Sequence, residues 1–526
     1  MKNIFLLNQI TLALMIPSMA FAANITNQIA GVGPGGSIKP YFCIQNEAKE
    51  ITSVAPGQTV DGNAASGNQY YAGGSLRFNG CSTADTYLGY LGVSLSADGT
   101  NNSISSYTPP GGGVHVSYSN PSVNSSGVLS GAIVFTPIDI NSTLVKAPTT
   151  IPTWQFAGVN LSGLEFDKVV NATVIPNLSI TDQSTSASDL ANTTTFIQGG
   201  INTVRVPMSW DYLQMDGAGK GIISTEYYVN FVRPLIATLT QAHVYTIIDM
   251  HAYMRYSIYG KEYSGCGAQG PCPDGTLEID STAYQSVWGQ LVDLLQNDKD
   301  IDMKYVVLDL MNEPVSVPDD SVFTIQTDLI KLLRGKNYTG PIMVEGNAWT
   351  GLHSWTTEMW TGSNGTKYTN ETLFTRDNFT KAGITDLSNI FINVHQYLDS
   401  NYSGTGNSCQ SDLSTKGPDG FNLDAFVTYL KNNQLKAIVT EFGAGNDATS
   451  CKQPLTDFVQ YLKDNAVGDK DYGFVGWTAW STGHGWGDSY NLLVTPSSYQ
   501  WGVLGGFLNA PASAHQKHLV STKVQN

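Results

Sequence analysis

Hydrophobic residues follow one pattern before residue 150 and another after it. Beyond Trp154, short apolar runs alternate with segments long enough to be helices. Eight runs are predicted strands: 154–161, 203–210, 244–250, 305–312, 341–347, 390–397, 436–441 and 473–480. Near-continuous apolar strands separated by helices indicate a parallel sheet covered on both faces. Eight such units over residues 153–526 predict a (β/α)8 TIM barrel, an α/β fold.

The segments between these runs support the barrel. Residues 225–239 carry apolar side chains at three- and four-residue spacing, which is typical of an amphipathic helix. The alternative is a doubly wound open sheet. The Gly-rich phosphate loop common in that fold is missing from the sequence, so the barrel is preferred.

The first part of the chain has a different texture. Residues 23–145 are rich in Gly, Ser, Asn and Thr, with short apolar runs such as 112–118 and 131–137. Short strands between turn residues predict a small all-β domain, a sandwich or a barrel. Residues 146–152 contain two prolines and are interpreted as a linker. A chain of 526 residues is expected to form two such domains.

Composition and net charge limit the kinds of molecule that the protein is expected to bind. Only 13% of the residues are charged, so Ser, Thr, Asn, Gly and Tyr must form much of the surface, which suits neutral sugars. The net charge of −16 repels phosphate backbones and anionic lipids. We therefore expect no nucleic-acid partner, and we expect a monomer.

The N-terminus predicts export. Lys2 precedes an apolar stretch over 4–19, and Ala20-Phe21-Ala22 forms a small-x-small cleavage site, so residues 1–22 are interpreted as a signal peptide. A membrane anchor is the alternative, but the stretch is short and contains polar residues. No later segment is long enough to span a membrane, and we expect a secreted protein.

The six cysteines agree with an oxidising destination, because an even number favours disulfides in exported proteins. Their spacing suggests three pairs: Cys43 with Cys81, Cys266 with Cys272, and Cys409 with Cys451. Other pairings remain open. A zinc site is the competing interpretation, and the scattered spacing disfavours it.

Two glutamates end buried strands. Glu313 follows the apolar run at 305–312, and Glu441 closes the run at 436–441. Carboxylates at the C-terminal ends of barrel strands lie on the face where such barrels keep their chemistry. Two facing carboxylates are the minimum equipment for cleaving a glycosidic bond. The alternative is that each forms an ordinary salt bridge in a loop.

Other strand ends carry polar or aromatic side chains as well. Seven of the eight predicted strands contribute such residues: Arg205, Trp210, His251, Tyr253, Asn312, Glu345, Asn347, Trp349, His395, Tyr397 and Trp477, beside the two glutamates. This ordered set resembles family 5 glycoside hydrolases, and most of all the fungal-type endoglucanases of that family. The segments 156–163, 394–401 and 441–446 carry the same resemblance, which covers about 154–508. Ala252 and Phe442 depart from it, where Asn and Thr are common.

The resemblance implies that Glu313 is the acid/base and Glu441 the nucleophile of a retaining hydrolase. That mechanism needs carboxyl groups about 5–5.5 Å apart, one ionised and one protonated. Arg205 is expected to keep Glu441 ionised, and Tyr397 to donate a hydrogen bond to it. Asn312 is expected to bind the sugar 2-hydroxyl.

His251 and His395 are expected to line the same subsite. A histidine-based metal site is the alternative, but no HExxH-type helix accompanies them. The predicted mechanism requires no metal or organic cofactor.

All ten tryptophans lie at or after Trp154. Trp477 is predicted to form the floor under the reacting sugar, with Trp210 and Trp349 at flanking subsites; core packing is the alternative for each. The loop 480–486 is either another platform or a cap on the barrel.

These features predict a secreted retaining endo-β-1,4-glucanase acting on a polysaccharide, a cellulose-like β-glucan. Mannan, xyloglucan, xylan and mixed-linkage glucan remain open as substrates, because fold does not determine substrate. A non-catalytic carbohydrate-binding or adhesion protein is the alternative from another class. The N-terminal domain either binds carbohydrate through tyrosines such as Tyr70 and Tyr87, or only packs and attaches.

Overall fold

The structure is a computed structural model that describes two compact units. One comprises residues 1–139 with 224–234, and the other residues 140–223 with 235–526. Side chains are described for residues 146–148, 151, 153–165, 192–214, 218–219, 221, 223, 227–228, 231–256, 280–483 and 486–508. Elsewhere only the backbone of some strands and helix ends is described.

Up to residue 139, every element that the structure describes is a β-strand, and those beyond residue 22 agree with the all-β domain that the sequence predicts. The strands are Leu12–Met15, Ala22–Thr26, Pro40–Gln45, Ile51–Val54, Thr59–Gly62, Ala65–Ser66, Gln69–Phe78, Tyr87–Ser96, Ser103–Tyr107, Val114–Val123 and Leu129–Pro137. Neighbouring strands pair antiparallel, and the predicted runs 112–118 and 131–137 fall in one hairpin.

The second unit contains a closed barrel of eight parallel strands, which confirms the predicted fold class. In chain order they are β1 Phe156–Leu161, β2 Thr203–Met208, β3 Tyr245–Met250, β4 Val306–Asp309, β5 Ile342–Glu345, β6 Ile390–Tyr397, β7 Lys436–Gly443 and β8 Gly473–Thr482. The last strand pairs with the first, and this pairing closes the barrel. Two hairpins, Asp167–Val170 with Thr173–Pro176 and Trp360–Thr361 with Lys367–Tyr368, lie outside it.

Helices alternate with the barrel strands. The longer ones are α1 Asp189–Gln198, α2 Arg233–Gln241, α3 Ser281–Asn297, α4 Asp319–Gly335, α5 Leu423–Asn433, α6 Ala448–Asp464 and α7 Tyr499–Leu508. Short helical segments are Trp210–Leu213, Tyr228–Val232, Met303–Tyr305, Ala348–Thr350, Asn370–Leu373 and Arg376–Lys381. No helix among the described residues has the length and apolarity needed to cross a bilayer.

The barrel interior is layered. Near the N-terminal ends of the strands, buried apolar side chains pack together; they are Phe156, Ile247, Val307, Met343, Phe391, Ile438 and Val475. One layer towards the C-terminal ends the buried residues are polar or charged, among them Asn160, Arg205, Asp309 and Asn393. The apolar layer excludes water from below, so the polar groups above it must bond to each other or to whatever enters from the open end.

Two glycines let the barrel close tightly. A Cβ atom at Gly158 would lie 1.7 Å from the Thr203 carbonyl oxygen, and one at Gly476 would lie 2.0 Å from that of Phe156. Any larger residue would force β1 away from its neighbours on either side.

The disulfide predicted between Cys409 and Cys451 is confirmed. It joins the segment after β6 to the first turn of α6. The other two predicted pairs, Cys43 with Cys81 and Cys266 with Cys272, lie outside the described side chains. In the segment interpreted as a linker, the amide of Ala147 donates to the carbonyl of Ala242, 2.9 Å away, so this part lies against the barrel unit.

Candidate active site

The C-terminal ends of β4, β6 and β7 bring together Glu313, His395 and Glu441. One side-chain atom from each lies within 4.8 Å of the others. A register shift between β6 and β7 follows the pairing of Val394 with Val439 and sets His395 opposite Glu441. Bulges of this kind turn side chains towards active sites. The histidine Nδ1 then lies 2.7 Å from Glu313 Oε1 and 3.6 Å from Glu441 Oε2.

Glu441 is held in its ionised form. Its Oε1 accepts a hydrogen bond from Arg205 Nη1 at 2.6 Å, and its Oε2 accepts one from the Tyr397 hydroxyl at 2.8 Å. Burial alone would raise the pKa of this carboxyl. The positive charges of His395, Arg205 and His251 overcome that effect, and the pKa falls to about 2. A buried carboxylate kept ionised has the property that a nucleophile needs.

Glu313 has the opposite character. Burial raises its pKa, and the charge of Glu441 raises it further, although the hydrogen bond from His395 works in the other direction. Glu313 has a left-handed backbone with φ of 47°, and its amide donates to Glu345 Oε2 at 2.6 Å. Such a backbone costs free energy that the surrounding contacts must supply, and it fixes where the side chain projects. The two glutamates thus differ in protonation, as an acid and a nucleophile must.

Arg205 lies under the pair, fully buried and surrounded by carboxylates. Its guanidinium atoms lie 2.6 Å from Glu441, 2.9 Å from Asp309, 3.1 Å from Asp249 and 3.6 Å from Glu345. One guanidinium cannot neutralise four carboxylates: burial and the charge of Glu345 raise the pKa of Asp309 well above its usual range, so this carboxyl is held protonated. The sequence predicts the contact with Glu441 but misses the other three acids. The available signal was an acidic residue inside an apolar strand run, as with Asp249 and Asp309.

Asn312 and His251 complete the polar floor. Asn312 Oδ1 accepts from Arg205 Nη2 at 2.8 Å, which leaves its Nδ2 amide, 3.4 Å from His251 Nε2, on the other side. His251 Nδ1 lies 2.8 Å from Asp249 Oδ2. Against the effect of burial, the neighbouring acids, Asp249 first, raise the pKa of His251 to about 9. This histidine therefore carries a positive charge near Glu441 at neutral pH.

The structure contradicts the sequence prediction for two tryptophans. Trp477 is fully buried, with its ring edge-on to Trp154 and Phe442. Phe442 in turn packs on Phe458 of α6, so Trp477 lies on the helix side of β8. Trp210 is also fully buried. A ring without exposed surface cannot stack on a sugar, and both residues belong to the core.

Trp480, on the same strand as Trp477, lies beside the polar floor. Its ring stacks on His251, with centroids 5.5 Å apart and an interplanar angle of 15°. Its Nε1 donates to the Tyr490 hydroxyl at 2.9 Å, and Trp486 stacks on that tyrosine. Trp480, Trp486 and Tyr490 thus form an aromatic wall beside the polar floor. Trp349, the third predicted platform, is 50% exposed, as a sugar-binding ring must be.

The cluster of Glu313, His395 and Glu441 also has the spacing of a metal site. However, both oxygens of Glu441 and the Nδ1 of His395 already have partners within the protein. The arrangement therefore favours a proton donor beside a carboxylate nucleophile.

Comparisons with known proteins agree with this geometry. The family Cellulase (glycosyl hydrolase family 5) matches residues 166–483. Endoglucanase 1 of Robillarda sp. (strain Y-20) is 31% identical over 308 residues, which are 58% of this chain and 71% of that protein. Endoglucanase EG-II of Hypocrea jecorina is 27% identical over 353 residues, 65% of this chain and 73% of that protein.

Solved structures give the same result. The crystal structure of an endo-β-1,4-glucanase from Xanthomonas axonopodis pv. citri is similar with a TM-score of 0.50 and 26% sequence identity, covering 67% of this chain and 98% of that one. The family match spans more than half of the chain and ends just beyond β8. The protein therefore belongs to glycoside hydrolase family 5, the cellulase family, and is a glycoside hydrolase.

Proposed function

We propose that the protein is a secreted, retaining endo-β-1,4-glucanase that hydrolyses cellulose-like β-glucans. The observation that carries the mechanism is the short separation of the two carboxyl groups, within 4.8 Å between their nearest ligand atoms. An inverting enzyme needs about 6.5–9.5 Å to place water between its carboxyl groups, whereas a retaining one needs about 5–5.5 Å.

In the first step Glu441 attacks the anomeric carbon and forms a glycosyl ester. The bond to the glycosidic oxygen breaks with its electron pair, and Glu313 gives that oxygen a proton. Asn312 donates from Nδ2 to the sugar 2-hydroxyl, and Trp480, in the aromatic wall, contacts the sugar ring from the side. These contacts strengthen as the oxocarbenium-like transition state forms.

In the second step water hydrolyses the ester. Esterification removes the negative charge of Glu441, which was one cause of the raised pKa of Glu313. The pKa of Glu313 then falls, and Glu313 takes a proton from the attacking water. Glu441 leaves as a carboxylate, stabilised by Arg205 and Tyr397, and the sugar keeps its original anomeric configuration.

The substrate assignment is supported by the related proteins, which carry the names endoglucanase and endo-β-1,4-glucanase. Secretion is supported by the predicted signal peptide over 1–22 and by the disulfide between Cys409 and Cys451, since disulfides persist mainly in oxidising compartments. We also propose a monomer in which residues 23–145 form a separate β-rich domain, joined to the hydrolase domain at 153–526 through 146–152.

The proposal is tested with the purified mature protein on carboxymethyl-cellulose, galactomannan and xylan. The matched control is the Glu441→Gln variant, which keeps the size of the side chain but replaces one of its two acceptor oxygens with an amide donor and removes its nucleophilic charge. We expect a rapid fall in viscosity of carboxymethyl-cellulose with the unmodified enzyme only. Cleavage confined to mannan or xylan would keep the mechanism and refute the substrate. Oligosaccharide binding without any cleavage would support the carbohydrate-binding alternative.

A further inference from the structure

Two large apolar side chains are exposed in the segment between β5 and β6. Of the described residues, the large hydrophobic ones with the greatest exposure are Met359, at 59%, and Trp349, at 50%. Both lie in the segment between β5 and β6. A cluster of exposed apolar surface in a soluble protein commonly marks a contact with a ligand or a partner.

Trp349 is held outward by an unusual backbone. Three consecutive residues, Ala348, Trp349 and Thr350, have φ near 50°. Left-handed backbone at non-glycine residues costs free energy and persists where the surroundings impose it. Here the Trp349 amide donates to the carbonyl of Pro314, 3.1 Å away, next to the catalytic acid. The exposed indole is therefore fixed next to the strand end that carries Glu313.

A short hairpin continues from this tryptophan. Trp360 pairs with Tyr368 across its two strands, and both side chains are half-buried. The Trp360 indole donates to Glu358 at 3.1 Å, and Asn364 donates to the Tyr368 hydroxyl at 2.8 Å. These bonds fix the polar edges of two aromatic side chains that are only partly buried.

The hairpin is tied to the active-site loop through the first residues of α4. The amide of Trp360 donates to the Asp319 carboxylate, and Asp319 accepts from Asn347 Nδ2 at 2.5 Å. The neighbouring Asp320 accepts from the amide of Ser363 at 2.7 Å and from its hydroxyl at 2.5 Å. One buried carboxylate thus separates the hairpin from Asn347, two residues before Trp349, and the connection is firm.

We propose that Met359, Trp360 and Tyr368 form a glucan-binding surface outside the cleft, the hairpin platform, which continues from Trp349 on the side of the catalytic acid. The occupant is a further stretch of the same β-glucan chain that occupies the cleft, an inference that rests on the proposed function. Pyranose rings present apolar C–H faces that match aromatic rings, and the neutral hydroxyl and amide groups nearby suit sugar hydroxyls.

A binding surface beyond the reacting site affects long and short substrates differently. A chain that reaches the hairpin platform gains contacts that a disaccharide glycoside cannot make. We expect Trp360→Ala to weaken the binding of cellohexaose to the Glu441→Gln protein, and to raise KM for that substrate in the active enzyme, by about fivefold each. Hydrolysis of an aryl β-cellobioside should stay unchanged.

Controls separate this effect from damage to the fold. Trp360→Phe should restore most of the loss, since it keeps an aromatic face. Leu294→Ala removes another exposed apolar side chain, which lies on α3 and is 39% exposed. This variant should leave the kinetics on both substrates unchanged. Sedimentation velocity of the unmodified and Trp360→Ala proteins tests whether a second copy of the chain covers the patch instead.

Each outcome of these experiments supports or refutes the hairpin platform. Equal kinetics of Trp360→Ala and unmodified enzyme on cellohexaose would refute the hairpin platform, as would an equal loss on the aryl cellobioside. Dissociation of a dimer by Trp360→Ala would also refute it, in favour of self-association. If the unmodified enzyme cleaves no β-1,4-glucan at all, the proposed function fails and this inference fails with it.

Discussion

The Nη1 atom of Arg205 lies 2.6 Å from Oε1 of Glu441, and both side chains are buried at the bottom of the cleft. This contact makes Glu441, the proposed nucleophile, a stable anion although it is buried. The same guanidinium binds Asn312, so one cation positions both the nucleophile and the residue preceding the acid. Chemistry and stability are thus linked through Arg205.

Replacing Arg205 should lower both the stability of the fold and the catalytic rate. Arg205→Met leaves three buried acids and Glu441 without their shared cation, so we expect the free energy of unfolding to fall by about 3–5 kcal/mol. The rate constant kcat should fall by at least about 100-fold because the nucleophile loses its charge stabilisation. Denaturant unfolding and kinetics measure the two effects.

The control for this variant is an exposed ion pair. Lys416 lies 3.7 Å from Asp424, and both side chains are more than two-thirds exposed. Lys416→Met should leave stability and activity unchanged, since such pairs contribute little. Normal activity in Arg205→Met would contradict the role given to Arg205.

The pH dependence follows from the two glutamates. Activity requires Glu441 ionised and Glu313 protonated. Because the pKa of Glu441 is lowered to about 2, activity should persist far into the acid range; it should be lost as pH rises through the raised pKa of Glu313. Profiles of kcat/KM against pH test this.

Variants at two carboxyls make that test specific. On an aryl cellobioside whose leaving group needs no proton, Glu313→Gln should still carry out the first step, and its kcat/KM should lack the alkaline fall that the unmodified enzyme shows on cellohexaose. Glu371, whose pKa is raised by burial away from the catalytic pair, is the control. A profile changed by Glu371→Gln and left intact by Glu313→Gln would contradict the assignment.

Trp480 and Trp477 lie on the same strand and should differ in their effect on activity. Trp480 is only 6% exposed, so Trp480→Ala should lower Tm, and because it also removes the wall beside His251 we expect kcat/KM to fall by about 10-fold or more. Trp477→Ala leaves a cavity in the core and should lower the free energy of unfolding by about 3–5 kcal/mol. Kinetics and calorimetry on both variants distinguish a sugar contact from a core residue. The reverse result would restore the sequence prediction for Trp477.

The disulfide between Cys409 and Cys451 closes a loop with a sequence separation of 42 residues. Closing it restricts the unfolded chain, so the double variant Cys409→Ser/Cys451→Ser should lose about 2–4 kcal/mol of stability. The loop that this bond closes contains β7 and Glu441, but pairing of β7 with its neighbouring strands holds Glu441 in the folded barrel, so kcat at low temperature should stay near normal. An unchanged Tm in the double variant would show that the bond does not stabilise the fold.

Local patterns of hydrophobic residues were sufficient to predict the barrel. All eight predicted strands are present, and β6 runs from Ile390 to Tyr397 as predicted. The run at 305–312 was predicted too long, since β4 ends at Asp309 and the following residues bond irregularly to β3 and β5. Hydrophobic periodicity identifies a strand but not the residue at which its ladder ends.

The catalytic candidates could be found in the sequence because the C-terminal ends of barrel strands share one face. The layer of charged side chains beneath them could not be predicted from the sequence. Asn393 donates to both Asp309 and Glu345, at 3.0 and 2.7 Å, across large separations in the chain. Such partners depend on barrel closure and on strand register, which no local pattern contains.

The tryptophan error has the same origin. Trp477 and Trp480 both fall near the end of one apolar run, and the sequence cannot tell which ring points to the cleft. The pairings of β8 with both neighbouring strands contain register shifts, so simple alternation of side chains does not hold there. A bulge reverses the expected face of every residue beyond it.

The most direct test of the mechanism is to trap the intermediate. A 2-deoxy-2-fluoro-β-cellobioside with a good leaving group slows the second step more than the first, so the glycosyl enzyme accumulates. We predict a single covalent adduct, located by peptide mass spectrometry on Glu441 and absent from Glu441→Gln. An adduct on another residue, or turnover that yields only the inverted anomer, would contradict the account.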